Sequence, residues 1–524
     1  MPMMNCAHFH TFSHRMAIKN SIFNQYKPIL TFAVRMSSLQ LYNTYTRRTE
    51  AFVPLHKHHV GLYVCGPTVY GPPHMGHVRG PVVFDVLRRY LEFLGYKVRH
   101  VRNITDVGHL VGDGDEGEDK LSKQARLEQV EPMEVAQSYT VAYNEMCRMM
   151  NVLPPGIEPR ASGHIIEQIE MIEAIINAGL AYEVNSSVYF DVLAYAKTQE
   201  YGKLSGRILE DLVAGAGNEA RELEGQDEKR NPNDFALWKK AAPEHIMQWS
   251  SPWGKGYPGW HIECSAMSRK YLGDVFDIHG GGMDLLFPHH ESEIAQSTAC
   301  TGHNPARFWV HHNMITINGQ KMAKSLNNGI MADELFSGNH PLLAQAYSPM
   351  TIRFFILQAH YRGTLDFGNE ALQAAEKGLQ RLMNAADQAK KLPISENTEY
   401  NITDIWAACE RSMNDDMNTP QVIAQLFEAV RVCNSAADGK IKLDQANVEA
   451  LNNLFQTWLH SILGIRAEEK GNEAALDGVM QMLLTMRAEA KAAKNYALSD
   501  EIRNKLAALG FNIKDSKDGS SWSL

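Results

Sequence analysis

Residues 60–103, VGLYVCGPTVYGPPHMGHVRGPVVFDVLRRYLEFLGYKVRHVRN, decide the fold. Val60 to Cys65 is a short apolar run broken by Gly66-Pro67, and it reads as a buried strand. Past a loop rich in Gly and Pro, Val83, Val86, Leu87, Tyr90, Leu91 and Leu94 recur on one helical face. Asp85, Arg88 and Glu92 fall off that face, and Gly95 supplies the stop. Lys97 to Asn103 then predicts a second strand. Strand, helix and strand in succession form a βαβ unit, so a parallel sheet is expected, with its ligand site at the carboxyl ends of the strands.

Working outward, strand signals return at Val275 to Ile278, followed by His279-Gly280-Gly281-Gly282 and a helix beginning near His289. Met314 to Ile317 predicts one arm of a hairpin, turning at Asn318-Gly319 into Lys321-Met-Ala-Lys-Ser325. Residues 106–250 read as an insertion with helical stretches, an apolar-periodic run from His164 to Ala178 and a Gly/Glu-rich surface loop at 215–229. Beyond residue 345 the pattern is almost wholly helical, with amphipathic runs at 370–391, 420–437 and 476–494 and a polar break at 392–402. The expected architecture is α/β: a Rossmann-like parallel-sheet catalytic domain over 37–345, a connecting region over 346–398, an all-α bundle over 399–466 and a small carboxyl-terminal region over 467–524.

Composition agrees with a chain of this kind. The 524 residues are 44% hydrophobic and 21% charged, an ordinary globular balance with room for roughly three or four domains. A small binding module and a disordered or fibrous chain are excluded. The net charge of −9 argues against indiscriminate coating of nucleic acid, although a local basic face can still bind a partner the size of a tRNA. Mean hydropathy is −0.31 and no apolar run is long enough to cross a membrane. The seven cysteines are scattered and odd in number, which favours a reducing compartment over a secreted disulfide framework. Residues 1–36 read as an extension: no Asp or Glu occurs before Glu50, Arg15, Lys19, Lys27 and Arg35 give a transit-like character, and Met36 is a natural start. The expected location is the cytoplasm, or the mitochondrial matrix if the extension is a transit peptide.

His74-Met75-Gly76-His77 lies where the first helix begins, which places two imidazoles and a bare backbone at the positive end of a helix dipole. Such a place suits phosphate. Lys321 and Lys324, three residues apart in a loop flanked by Gly319 and Gly329, suit a pyrophosphate leaving group. Taken singly, each pair also fits ordinary surface residues. Placed at the two ends of one α/β fold, they resemble the paired ATP motifs of class I aminoacyl-tRNA synthetases, with Met75 where Ile is usual and Ala323 where Ser is usual.

Three further stretches carry the resemblance to one branch. Tyr63-Val-Cys65-Gly-Pro-Thr-Val-Tyr70, Gly259-Trp-His-Ile-Glu-Cys264-Ser-Ala-Met267, and Phe276-Asp-Ile-His279-Gly-Gly-Gly-Met-Asp284 with Pro288-His289-His-Glu-Ser-Glu293 resemble the cysteinyl-tRNA synthetase family, over essentially residues 37–524. The resemblance implies zinc ligands at Cys65, Cys264, His289 and Glu293, and an amino-acid pocket lined by Trp260, His279 and Asp284. It implies ATP binding by His74, Gly76, His77, Lys321 and Lys324, with His74, His77, Lys321 and Lys324 catalytic. Independently of it, His289 and Glu293 at i, i+4 share a helix face. Cys65 and Cys264 cannot be paired from spacing, and each also fits a small buried hydrophobe.

The implied enzyme activates L-cysteine with ATP, accompanied by Mg²⁺, and passes it to tRNA(Cys), with one Zn²⁺ per subunit and a monomeric state. Zinc would select the substrate by softness, since it binds a thiolate far better than an alcohol. Losing such a specific contact discriminates by about 10⁴ or more, against about 10–200-fold for packing alone, so no editing domain is expected. The alternative on the same core is a tRNA-independent, ATP-dependent cysteine ligase. Arg353 to Arg362 and Met413 to Pro420 resemble the family's connecting segment and the opening of its anticodon-binding bundle. Arg487, Lys491, Arg503 and Trp522 are the candidate tRNA contacts, by charge and by stacking.

Overall fold

The computed structural model describes residues 39–107, 124–125, 130–209, 228–243, 245–322, 328–468, 473–516 and 519–523. The extension at 1–36, residues 215–227 of the Gly/Glu-rich passage, and Ala323, Lys324 and Ser325 of the lysine motif lie outside them.

The opening βαβ unit forms as its sequence requires. β1 (His59–Val64) buries Val60, Leu62, Tyr63 and Val64. α1 (Arg79–Phe93) turns Val82, Val83, Val86, Leu87, Tyr90 and Leu91 into the core, and β2 (Lys97–Arg102) returns parallel to β1, pairing Val60 with Val98 and Val64 with Arg102. The helix starts four residues before its first predicted apolar contact, directly after the histidine motif.

In the insertion, α2 (Ile165–Asn177) occupies the predicted apolar run. Beside it stands a five-stranded antiparallel sheet of Ala181–Val184, Ser187–Phe190, Phe235–Lys240, Trp249–Ser251 and Gly254–Pro258, where only helices and a loop were expected. Ser187–Phe190 and the first four residues of Phe235–Lys240 are buried on both faces, so they lack the polar alternation that marks a half-exposed strand.

α3 (Trp260–Leu272) leads into β3 (Phe276–Gly282). The predicted strand stops at Ile278, yet β3 continues through three glycines because neighbouring side chains occupy the space of the missing ones. A Cβ on Gly280 would lie 2.3 Å from the Phe84 ring, and one on Gly281 would lie 2.6 Å from the His290 ring. α4 (Glu291–Thr301) follows a kinked turn at Leu286–His290 in which Phe287 is extended, and β4 (Ala306–His312) completes a parallel sheet of order β4-β3-β1-β2.

β5 (Ile315–Ile317) and β6 (Gln320–Lys321) form the predicted hairpin, with Asn318 and Gly319 at φ 50° and 76° as a two-residue turn of this kind needs. α5 (Pro349–Leu357) then leads to β7 (Leu365–Phe367), which pairs in parallel with β5. In the helical half α6 (Asn369–Ala389) and α8 (Thr419–Ala437) lie close to two predicted runs, a further helix at Glu473–Ala492 meets the third, and α7 (Ile402–Asn414) is an additional helix between the first two. One apolar core runs from Leu62 and Val86 through Ile352 and Phe354 to Leu426 and Trp458, joining sheet and bundle. Among the described residues no helix is long and apolar enough to cross a membrane.

Candidate functional site

The carboxyl ends of β1, β3 and β4 lie side by side, and the sulfur, imidazole and carboxylate groups of interest gather there. Cys65 follows β1, Cys264 stands in α3, His289 closes the turn before α4, and Glu293 sits in the first turn of α4. The two sulfur atoms are 3.8 Å apart, and Cys65 Sγ is 3.8 Å from Glu293 Oε1. His289 Nε2 is 3.1 Å from the same carboxylate oxygen, so the i, i+4 pair shares a face as its spacing predicts. A fifth donor is present: Nε2 of His290 is 3.2 Å from Cys65 Sγ, and ligand atoms of Cys65, His289, His290 and Glu293 all lie within 4.8 Å of one another.

Burial opposes every charge here, and the charges sort themselves by mutual attraction. Burial resists ionisation of Glu293, but His279 and His289 overcome it and hold the carboxyl at about 2. Burial likewise resists a charged His289, and Glu293 overcomes it, raising the imidazole to about 10. Of the two thiols, Cys264 is drawn down to about 6 against its burial, by bonds from Cys65 and His289, whereas burial and the neighbouring Cys264 push Cys65 up. Thiolate and carboxylate are thus favoured at Cys264 and Glu293, whereas Cys65 and His289 keep protons that a bound cation would have to displace.

Two of the three residues expected to line an amino-acid pocket, Trp260 and His279, adjoin this group. Trp260 opens α3 with its ring 4.4 Å from that of His289. His279 is fully enclosed, its Nε2 2.9 Å from Glu293 Oε2 and its ring stacked on Trp309 at 4.3 Å, so it braces the carboxylate. Asp284 is exposed just past the end of β3. Second contacts orient the imidazoles: His261 Nδ1 meets His289 Nδ1 at 3.0 Å, and His290 Nδ1 meets His311 Nε2 at 2.8 Å, with His311 Nδ1 on Thr44 Oγ1 at 2.9 Å.

The histidine motif forms a short 3₁₀ turn, Met75–His77, that runs into α1. The Gly76 N–H donates to His74 Nδ1 and the His74 N–H donates to His77 Nδ1, both at 3.1 Å. A neutral imidazole that accepts at Nδ1 carries its proton on Nε2, so both rings are set as Nε2–H donors. Burial, with help from His74, lowers His77 to about 3 and keeps it neutral. The rings stack with centroids 3.8 Å apart. A Cβ on Gly76 would lie 2.9 Å from both the His74 ring and the Met322 methyl, so the glycine is where the histidine and lysine motifs touch. The Met75 N–H donates to Ile330 O at 2.9 Å and the Ala332 N–H to Pro73 O at 2.9 Å, which ties the segment after the lysine motif to the histidine motif. Lys321 ends β6, while Lys324 lies outside the described residues.

Of the candidate tRNA contacts, Lys491 and Arg503 are exposed, and Trp522 is half-buried against Phe511. Arg487 requires a correction. At 2% exposure it continues the buried stripe of Met480 and Leu484, and a nucleic-acid backbone would not reach it without parting the helix from its neighbours.

Residues 51–377 match the family described as tRNA synthetases class I (C) catalytic domain, and residues 408–468 match the DALR domain. A cysteine–tRNA ligase of Porphyromonas gingivalis is 59% identical over 489 residues, covering 93% of this chain and 99% of the relative. The chain belongs to the cysteine–tRNA ligase family. A cysteine–tRNA ligase of Bacteroides fragilis matches to the same extent, 59% over 489 residues with coverage of 93% and 99%. Among solved structures, a Mycobacterium tuberculosis methionyl-tRNA synthetase in complex with methionyl-adenylate shares the fold at TM-score 0.52 and 13% identity, covering 78% of this chain and 92% of that one. An Agrobacterium radiobacter LeuRS in a ternary complex with tRNA and LeuAMS does so at 0.53 and 11%, covering 79% and 84%.

Membership of the cysteine–tRNA ligase family, reaching through the DALR domain, leaves the tRNA-independent ligase without support. Sequence reasoning overlooked His261, His290 and His311, although His290 stands in the quoted Pro288-His289-His290 and the parallel register sets His311 opposite Gly281. Their alignment at the end of a parallel sheet is a tertiary fact with no short-range spacing to betray it.

Proposed function

We propose that the chain joins L-cysteine to tRNA(Cys) in two steps at this site, with Cys65, Cys264, His289 and Glu293 as the ligands of one Zn²⁺. The observation that carries the metal reading is the 3.8 Å separation of the two sulfur atoms. That is the edge of a tetrahedron whose centre lies about 2.3 Å from each sulfur, the usual zinc–thiolate length. The donor set of two sulfurs, one imidazole and one carboxylate suits that ion, and His279 and His261 bond outward from it as supporting groups do. When bound, zinc would supply a soft position that accepts the substrate thiolate and gives serine no equivalent contact.

The protein groups do the rest by position. Asp284 accepts the substrate ammonium and Trp260 closes over its small side chain. The substrate carboxylate attacks the α-phosphorus of Mg²⁺-bound ATP, forming cysteinyl-adenylate and releasing pyrophosphate. His74 and His77 donate from Nε2 to the phosphate oxygens as charge builds there, over the bare backbone of Gly76. Lys321 and Lys324 hold the departing pyrophosphate. A terminal ribose hydroxyl of the tRNA then takes the acyl group and AMP leaves, while the bundle over 399–466, with Lys491, Arg503 and Trp522, holds the tRNA body. The location proposed for it is the cytoplasm.

The test is aminoacylation of tRNA(Cys) with cysteine and serine side by side, before and after removal of metal by a chelator. Charging with cysteine alone, lost with the metal and regained with Zn²⁺, is expected. Undiminished charging by metal-free protein would overturn the zinc assignment.

A further inference from the structure

Arg79 is the second residue after His77 and is 1% exposed. Among the described residues no carboxylate bonds it. It donates instead to four main-chain carbonyls: Nη1 to Asn313 at 2.9 Å and Met314 at 2.8 Å, Nη2 to His360 at 3.0 Å and Gly363 at 2.6 Å. A cation taken out of water and neutralised only by dipoles is costly, and burial alone draws Arg79 down to about 10. A residue kept under that strain needs an explanation in what it joins.

The four carbonyls come from two places. Asn313 and Met314 link β4 to β5, the first arm of the lysine hairpin, and residues 360–363 lead to β7, which pairs in parallel with β5. The two loops also bind each other, through the Asn313 N–H on Tyr361 O at 2.8 Å and the Asn313 side-chain amide on Arg362 O at 2.9 Å. Asp366 on β7 braces the hairpin through Thr316 at 2.6 Å and the Gly319 N–H at 2.7 Å. Arg79 thus grips the base of the three-stranded ribbon that carries Lys321, while the bonds from Met75 and Ala332 secure the segment after it.

We infer that Arg79 is a positioning residue for adenylate formation, registering the lysine hairpin against His74 and His77 so that the leaving pyrophosphate and the attacked phosphorus are held together. A fork of five donors is the one side chain that satisfies two pairs of carbonyls on separate loops at once. Its effect is confined to the step that expels pyrophosphate, because transfer from the finished adenylate to tRNA makes no use of the lysines. The inference rests on the assignment of His74, His77 and Lys321 to ATP.

The experiment compares the two half-reactions in Arg79→Lys, which keeps the charge and loses the fork. Cysteine-dependent exchange of pyrophosphate into ATP is expected to fall at least tenfold in kcat, with KM for cysteine changed less than twofold. Single-turnover transfer from isolated, enzyme-bound cysteinyl-adenylate to tRNA(Cys) is expected to stay within twofold of the parent. Asn313→Ala, which loosens the carbonyl pair while the cation stays, should give a smaller fall in the same step alone, and it decides the matter should Arg79→Lys not fold. Equal slowing of both half-reactions, or no slowing of exchange, overturns the inference. Parent enzyme that shows no cysteine-dependent exchange would instead overturn the ATP assignment itself.

Discussion

Asp85 in α1 and Arg353 in α5 form an ion pair in which neither side chain is exposed, joining the helix that begins at the histidine motif to the first helix of the carboxyl-terminal half. Asp85 also accepts from Arg89 at 2.7 Å and from the Leu153 N–H at 2.8 Å, and Arg353 donates to Leu463 O at 2.7 Å and Met150 O at 2.9 Å. Four chain segments thus converge on one carboxylate and one guanidinium.

Removing one partner of a buried pair costs about 3–5 kcal/mol, since it strands the other charge. The two losses should be unequal. Arg353→Leu leaves Asp85 with Arg89 and a backbone donor, whereas Asp85→Leu strands two cations. Asp85→Leu is therefore expected near the upper end of that range and Arg353→Leu near the lower, with the double variant less destabilised than the sum. Urea denaturation of the three variants reads the cycle directly. Burial raises the Asp85 carboxyl but the two arginines lower it further, so this stabilisation is present above the ordinary carboxylate range and lost as pH falls through it.

Five donors surround a site for four. If the sulfur pair belongs to the metal shell, Cys264→Ser loses bound zinc and with it the preference for cysteine over serine, whereas His290→Ala retains about one equivalent of zinc because His290 is held by His311. Elemental analysis of both purified variants checks this. Zinc retained in Cys264→Ser and lost in His290→Ala would show that the shell is drawn from the other four groups.

His77 is held neutral, with its lowered value of about 3 far below working pH. Its contribution to adenylate formation should therefore show no inflection near pH 6.5. His77→Ala, which removes the Nε2–H donor, is expected to lower exchange by about 10²–10³-fold, while His77→Asn, which keeps an N–H, loses less. A pH–rate profile for the parent and both variants tests the donor role; an inflection near pH 6.5 that His77→Asn abolishes would refute neutrality.

His100 in β2 is buried, among the described residues neither ring nitrogen has a hydrogen-bond partner, and burial and nearby arginines lower it to about 3. The unfolded chain takes up a proton near pH 6.5 that the folded one refuses, so stability is full above that value and declines as pH falls from 6.5 towards 3. The slope from one such group approaches about 1.4 kcal/mol per pH unit. His100→Phe should flatten the dependence by that amount, measured as urea midpoints between pH 7 and 4.5.

Legibility followed the range of the interactions. The βαβ unit, the Asn318-Gly319 hairpin and the helices of the carboxyl half were readable because apolar periodicity and turn residues act over a few positions. The antiparallel sheet of the insertion was not, since two of its strands are buried on both faces over four residues and show no alternation. The strand through Gly280 and Gly281 reads as a loop until Phe84 and His290 are seen to fill the space beside it. Arg487 looked like a phosphate contact from its charge, and only the packing of Met480 and Leu484 beside it placed it inside.

For the chemistry the division is similar. Residue types and local spacing determined the His289/Glu293 pair, and resemblance supplied the family and the proposed nucleotide role of the histidine and lysine motifs. Only the folded chain decided that Cys65 and Cys264 bring their sulfurs to 3.8 Å, that His290 and His279 join them, and that Arg79 holds the lysine hairpin by four carbonyls. The reason is physical: a helical face or a turn is set by neighbours in the chain, whereas a donor set contributed by one strand end, one turn and two helices exists only once the parallel sheet has fixed its register.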